Sequence, residues 1–285
     1  HNPYTAYSEW LRKLSLTKIS LSIRDLFLID LSETTTLEKL HMHDHCLDYA
    51  YKYTVDYGRI ADILDRNCNI SSLYIRLDDH CPYEIFKKLT RLKHLGLYRC
   101  NGTHLKEVSS TLRMTALEKV ELQFGTWDLV VGLNEFLRKL GEKALYLKDF
   151  SIEHGNTFKT PNLSTLSSMQ LFRLTSFRLI IRYANLHTLI PKMHPNLKHL
   201  DIRIYTLDRW AHVDVPATEQ IIFLKKNLKK LEILHLRFYK TSKMRSTLKD
   251  FLKESELCRI FDCCSINRPN VTLRLFNIYQ PAYFL

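Results

Sequence analysis

The sequence predicts an α/β fold in which short parallel strands alternate with helical segments along one continuous solenoid. Three observations lead to this prediction. An apolar frame, Leu-x-x-Leu-x-Leu, recurs along most of the 285-residue chain, with openings about 27 residues apart on average. Helical patterns lie between several copies of the frame. Only 7 Gly and 8 Pro are spread over the chain, and no low-complexity linker divides it.

The clearest copy of the frame is Leu92–Cys100, which spells Leu-x-x-Leu-x-Leu-x-x-Cys. A repeat of this length and pattern is the signature of leucine-rich repeats. Because side chains alternate along a strand, frame positions 1, 4 and 6 are expected in the core and positions 3, 5 and 7 on an outward, concave face. Ten copies are recognisable, opening at Leu16, Leu37, Ile70, Leu92, Leu117, Leu147, Leu174, Leu197, Leu231 and Asn270.

The full fold prediction is a leucine-rich-repeat horseshoe of about ten irregular repeats, with a parallel concave sheet and helices on the convex side. A single solenoid is expected over 1–285, with an N-terminal cap at 1–15, repeats at 16–276 and a tail at 277–285. Position 9, where a buried Asn or Cys bonds the loop backbone in such repeats, is Cys only at Cys100. Helices are predicted at Tyr83–Leu89, Asp128–Gly141, Thr218–Leu228 and Arg245–Phe261.

Charge and cysteine content bear on partners and compartment. The formal net charge is +12, from 42 Lys and Arg against 30 Asp and Glu, which favours acidic partners. No apolar run is long enough to span a membrane, so no membrane partner is expected. Seven cysteines, an odd number without an N-terminal cysteine cap, favour reduced thiols in the cytoplasm or nucleus. Glycosylation sequons leave secretion open as an alternative, and they begin at Asn69, Asn101, Asn162 and Asn270.

The frame resembles the cysteine-containing leucine-rich repeats of F-box proteins, the substrate receptors of cullin-type ubiquitin ligases. The resemblance rests on Leu92–Cys100 and on the weaker copies Leu37–Met42 and Leu197–Ile202, and it covers most of the chain. It implies the substrate-recognition part of such a receptor. It also implies a preceding F-box that docks a Skp-type adaptor, and no such module is recognisable in residues 1–15.

The outward positions 5 and 7 predict two zones for partner binding. The aromatic-histidine zone and the basic zone are separated by acidic residues at Glu121, Asp149 and Glu153. Tyr and Arg are enriched at binding hot spots, which is why these zones are favoured. The aromatic-histidine zone comprises His41, His43, Tyr74, Arg76, His94 and Tyr98. The basic zone comprises Arg178, Arg203, His235, Arg237 and Arg274.

The sequence offers little that would support catalysis or a metal. It has no glycine-rich phosphate loop, nucleophile elbow or paired-carboxylate motif, so it predicts neither an enzyme nor a cofactor. His41, His43 and His45 alternate before Cys46, but no second ligand pair has the spacing of a metal site, which favours recognition histidines. The predicted function is a non-catalytic solenoid that binds a protein partner, for which an acidic segment is one candidate.

Two alternatives to this function stay open. A secreted recognition receptor is one. A nucleic-acid-associated basic module is the other, because Lys225–Lys253 is dense in Lys and Arg.

Overall fold

The computed structural model describes residues 15–22, 31, 34–43, 55–124, 130–154, 171–181, 196–205, 230–240 and 272–279. The fold is α/β, with parallel strands and helices between them. The chain divides into two compact units, an N-terminal unit at 1–146 and a C-terminal unit at 147–285. The expectation of one solenoid over 1–285 stays a prediction.

The N-terminal unit contains five strands: β1 Lys18–Ser22, β2 Lys39–His43, β3 Ser72–Arg76, β4 His94–Cys100 and β5 Lys119–Phe124. Each pairs in parallel with the next along the chain. Parallel neighbours need a crossover segment between them. The residues between successive frames supply that crossover.

The C-terminal unit repeats this order with β6 Asp149–His154, β7 Ser176–Ile181, β8 His199–Tyr205, β9 Ile233–Lys240 and β10 Thr272–Tyr279. These strands also pair in parallel with their successors. Each of the ten described strands begins at position 3 of a predicted frame, so the predicted strands are confirmed. β10 ends at Tyr279, three residues beyond the predicted end of the repeats at 276.

The core is built from frame positions 1, 4 and 6, as predicted. In the Leu92 copy, Leu92, Leu95 and Leu97 are all fully buried. The corresponding residues of the C-terminal unit, such as Leu174 and Leu179, are buried as well. Burying one such side chain stabilises a fold by about 1.5–3 kcal/mol, so these three positions contribute alike in the repeats whose side chains are described.

Helices in the described part of the N-terminal unit are α1 Tyr57–Arg66, α2 Gly102–Thr111 and α3 Val130–Lys143. The predicted helix at Tyr83–Leu89 is a 3-10 helix, Tyr83–Lys88, and a second 3-10 turn is Met114–Ala116. The helix predicted at Asp128–Gly141 corresponds to α3, and residues 125–129 are not among the described residues. Thr218–Leu228 and Arg245–Phe261 are not among them either.

The sequence reasoning missed α1 and α2, although both begin with a recognisable N-cap. The Asp56 side chain accepts a hydrogen bond from the Arg59 backbone N–H at 3.0 Å. The Asn101 side chain accepts one from the backbone N–H of His104 at 2.8 Å, and the His104 ring accepts one in return from the Asn101 N–H. Such bonds satisfy donors that the first helical turn leaves unpaired, and each one favours a helix start at that residue.

Candidate partner-binding surface

The strand register of the N-terminal unit places equivalent frame positions side by side. The position-5 row runs through consecutive Cα partners Ser20, His41, Tyr74, Gly96 and Glu121. The position-3 row runs in the same way through Lys18, Lys39, Ser72, His94 and Lys119. Neighbouring strands lie about 4.8 Å apart, so each row is a line of adjoining side chains on one face of the sheet.

Three rings of the aromatic-histidine zone lie together on this face. The ring centroids of His41 and Tyr74 are 4.3 Å apart, and those of Tyr74 and Tyr98 are 6.1 Å apart. The Nε2 atom of His41 lies 2.9 Å from the hydroxyl of Ser72, within hydrogen-bond distance. The structure thus brings together His41, Tyr74 and Tyr98, as the register of the frames predicts.

Tyr74 is less exposed than an outward position suggests, with only 8% of its surface accessible. Its ring lies directly over Gly96, where a Cβ atom would overlap the ring carbons. The side chains of Lys119 and Glu121 interact electrostatically with its hydroxyl. Burial, followed by the negative charge of Glu121, raises the pKa of Tyr74. Tyr74 therefore supports this face more than it projects from it, while His41 and Tyr98 are half-buried.

The position-7 row is interrupted by a bulge. Arg76 and Tyr98 are Cα partners across β3 and β4, but the register between β4 and β5 shifts after Leu97, so that Cys100 is the partner of Phe124. Arg99 has a φ of 53°, a left-handed conformation that is uncommon for a residue with a Cβ atom. The extra residue buries Cys100, whose thiol donates a hydrogen bond to the Gln123 carbonyl at 3.3 Å. The Cys100 thiol thus bonds a backbone carbonyl, but one of strand β5 rather than of a loop.

His94 is half-buried and surrounded by positive charge. Burial lowers the pKa of His94, and the charge of Lys119 lowers it further. Lys39 and Lys93 act in the same direction, and Glu118 opposes them. His94 therefore lies in a positive electrostatic potential.

The lysines of the position-3 row were missing from the predicted site. The prediction used positions 5 and 7 and took only His94 from position 3. Listing position 3 across the frames would have found Lys18, Lys39 and Lys119.

In the C-terminal unit, the register aligns the basic zone over β7 to β10. Arg178, Asp201, His235 and Arg274 are consecutive Cα partners in the position-5 row. Arg203 and Arg237 are partners in the position-7 row. The Arg178 side chain forms a 3.3 Å ion pair with Asp201, whose side chain is only 13% exposed. Asp201 is the one acidic residue in these two rows of β8 to β10, and it forms its ion pair with Arg178 on β7.

Several predicted residues are placed by backbone alone. The strand position is described, but the side chain is not, for His43, Arg203, His235, Arg237 and Arg274. His45 and Cys46 are not among the described residues. Among the described residues, no three or more His, Cys, Asp or Glu side chains are grouped to hold a metal ion.

Two described thiols are poorly suited to nucleophilic chemistry. Cys81 is 5% exposed, and burial followed by the charge of Asp78 raises its pKa to about 12. Cys100 is fully buried, which also raises its pKa. The thiolate is the reactive form of cysteine, and both residues keep their proton at neutral pH.

Comparison of the chain with protein-family models gives no match, and comparison with curated proteins gives none either. In the described portions of the chain, no helix combines the length and apolar character that a membrane crossing requires. The surface itself is therefore the basis for any functional assignment. It offers aromatic, histidine and cationic side chains in ordered rows.

Proposed function

We propose that this chain is a leucine-rich-repeat solenoid that binds another protein through the outward face of its strands and performs no chemistry of its own. The observation that carries the proposal is the register. Outward positions 3 and 5 are Cα partners from strand to strand within each unit, and the inward positions whose burial is described are buried. Such rows provide a broad surface for a macromolecule, and the concave faces of repeat proteins are used in this way.

The side chains on these rows favour a protein partner. His41, Tyr98 and Arg178 combine aromatic, titratable and cationic groups, and Tyr and Arg are the types that dominate binding energy at protein interfaces. The alternative of a nucleic-acid partner needs a line of cations without nearby acids. In the N-terminal unit, Glu118 and Glu121 instead form ion pairs with Lys93 at 3.2 Å and Lys119 at 2.6 Å.

The narrower form of the proposal is the substrate-recognition part of an F-box-type ubiquitin-ligase receptor in the cytoplasm or nucleus. It is supported by the resemblance of Leu92–Cys100 to cysteine-containing repeats. Cys68, Cys81 and Cys100 are free thiols in the described part of the chain, which also favours a reducing compartment. The protein expressed from its complete gene should co-purify with a Skp-type adaptor. Absence of any such adaptor would remove this narrower assignment and leave the binding proposal intact.

The basic zone is proposed to contact an acidic segment of the partner, since arginine side chains bind carboxylates through two parallel hydrogen bonds. The test is the double reversal Arg203→Glu/Arg237→Glu, which should abolish partner capture without changing the circular dichroism spectrum. A double reversal on the helices, Lys87→Glu/Lys106→Glu, is the matched control. Capture retained by the Arg203/Arg237 variant would exclude this part of the face.

Site-specific photo-crosslinking tests the binding proposal itself. A photoreactive amino acid is placed at Ser20 or Arg178 on the strands, or at Lys87 or Lys106 on the helices, and the chain is irradiated in extract from its native source. Crosslinks should form at the strand positions, resist nuclease and disappear with protease. Equal yields at all four positions, or nuclease-sensitive adducts at the strands, would refute a protein-binding face.

A further inference from the structure

The position-3 row of the N-terminal unit concentrates positive charge that the rest of the unit does not fully offset. Across its five strands the row carries Lys18, Lys39 and Lys119, together with His94, and no carboxylate. Lys119 is engaged by Glu121 at 2.6 Å. Among the described residues, neither Lys18 nor Lys39 forms an ion pair, and both are exposed.

Lys18 and Lys39 are also direct Cα partners across β1 and β2. Like charges directly opposite each other on neighbouring strands destabilise a sheet, whereas opposite charges stabilise it. The unit therefore carries an unfavourable pair of exposed lysines across β1 and β2. An anion bound between the two ammonium groups would relieve this repulsion.

We propose that Lys18, Lys39 and His94 form a binding row for carboxylates of an extended, acidic segment of a protein partner. This inference rests on the proposed protein-binding function and names a second contact, in the N-terminal unit, with its own chemistry. One carboxylate is received between Lys18 and Lys39. A second one is received by His94, whose surroundings are already positive because of Lys39, Lys93 and Lys119.

The spacing of the row sets the pattern of the segment. From the midpoint of Lys18 and Lys39 to His94 is two and a half strand spacings, or about 12 Å. An extended chain rises about 3.4 Å per residue and presents every second side chain on the same face, so acidic residues four apart cover about 13.6 Å. The expected ligand therefore carries Glu or Asp at positions i and i+4.

The same row is a poor platform for a single-stranded nucleic acid. Binding of that kind combines cations with accessible rings on which the bases stack. Of the three rings beside the row, Tyr74 is only 8% exposed, and His41 and Tyr98 are half-buried.

Binding at this row should strengthen as the pH falls. In the free protein, burial and the neighbouring lysines hold the pKa of His94 below its ordinary value. A carboxylate against the ring favours the imidazolium form and raises that pKa in the complex, so the complex takes up a proton. The groups that face His94 or adjoin it are Lys39 and His41 on β2, Tyr74 on β3, Lys93 before β4, and Glu118, Lys119 and Glu121 before and on β5.

The experiment uses the full chain and three fluorescent probes at 50 mM salt. The first is a Ser/Thr peptide with two Glu residues four apart, the second is the same peptide with Gln in their place, and the third is a ten-nucleotide oligo-dT. Fluorescence anisotropy gives the dissociation constants at pH 6, 7 and 8. The Glu peptide should bind in preference to the Gln peptide, and about threefold to tenfold more tightly at pH 6 than at pH 8.

Two variants assign the effect to residues. Lys18→Glu/Lys39→Glu should weaken binding of the Glu peptide about tenfold to a hundredfold at every pH, while the control Lys87→Glu/Lys106→Glu should not. His94→Gln should keep most of the binding at pH 8 and lose the pH dependence. Circular dichroism checks that each variant is folded.

Three results would overturn the inference. They are equal binding of the Glu and Gln peptides, unchanged binding by the Lys18/Lys39 variant, or tighter binding of oligo-dT that this variant abolishes. The outcome is separate from that of the proposed function. Protein crosslinks at Ser20 and Arg178 with no effect of the Lys18/Lys39 variant would reject the row and leave the protein-binding face standing.

Discussion

Substitution of Asn67 by alanine is expected to destabilise the N-terminal unit strongly. Asn67 follows α1 and is 1% exposed. Its side chain donates hydrogen bonds to the carbonyls of Thr34 and Ile63 and accepts one from the Leu37 N–H, each at 2.7 Å. The bonds to Thr34 and Leu37 tie the loop before β2 to the end of α1, across separations of 33 and 30 residues.

The size of the effect follows from what the substitution leaves behind. Alanine removes all three bonds and strands the Thr34 carbonyl and the Leu37 N–H in a buried site, while the Ile63 carbonyl still accepts from the backbone N–H of residue 67. Each of the two unsatisfied groups costs about 1–3 kcal/mol, and partial entry of water lowers the sum, so the expected loss is about 2–5 kcal/mol. Asn67→Asp should be destabilising as well, because a carboxylate accepts from the Leu37 N–H but buries a negative charge against the Thr34 and Ile63 carbonyls.

Urea denaturation followed by circular dichroism measures the loss. With a denaturation slope of about 3 kcal/mol/M, the midpoint for Asn67→Ala should fall by about 0.7–1.7 M. The matched control is Asn69→Ala, two residues away, where an exposed side chain accepts one hydrogen bond from Arg91 at 2.6 Å. That control should stay within about 0.5 kcal/mol of the parent. A midpoint for Asn67→Ala that matches the Asn69→Ala midpoint would refute the reasoning.

Two further predictions concern close packing and thiol access. Gly132→Ala should destabilise the protein by about 1–3 kcal/mol, because the added Cβ would overlap the Gly102 carbonyl of α2. The control Gly58→Ala on α1 should be neutral or stabilising. Thermal melting compares the two variants, and equal shifts in melting temperature would contradict the close contact between α2 and α3. In the native protein, a thiol reagent at pH 8 should label the exposed Cys68 rapidly and should label Cys81 and Cys100 only after denaturant is added. Mass spectrometry assigns the labelled residues. Rapid labelling of all three cysteines would show that Cys81 and Cys100 are not buried.

The strand frame was predictable because it follows from elementary chemistry. A strand that buries one face must alternate apolar and polar residues. Inward Leu95 and Leu97 therefore imply that His94, before them, and Gly96, between them, are outward positions. The spacing of the copies then implies which residues become neighbours. The observed register pairs Ser20 with His41, and Arg178 with Asp201, as the alignment of the frames requires.

Features that depend on long-range packing were not predictable from the frame. The burial of Tyr74 requires the absence of a side chain at Gly96 on the next strand, and periodicity carries no such information. The register shifts after Leu97, where Arg99 is in a left-handed conformation. The sequence gives no sign of this, because position 8 of the frame is an arginine and not a glycine. The helix α2 was missed because its first turn, which contains Gly102 and His104, is stabilised by a cap and has little apolar periodicity.

The most direct test of the whole account compares Leu95→Ala with His94→Ala, because every proposed contact depends on the alternation of the frame. Leu95 is fully buried at position 4, and its truncation should cost about 2–5 kcal/mol in the free energy of unfolding. His94 is half-buried at position 3, and its truncation should stay within about 0.5 kcal/mol. Chemical denaturation of the two variants under the same conditions gives both values. Equal losses would contradict the frame, and with it the assignment of an outward binding face.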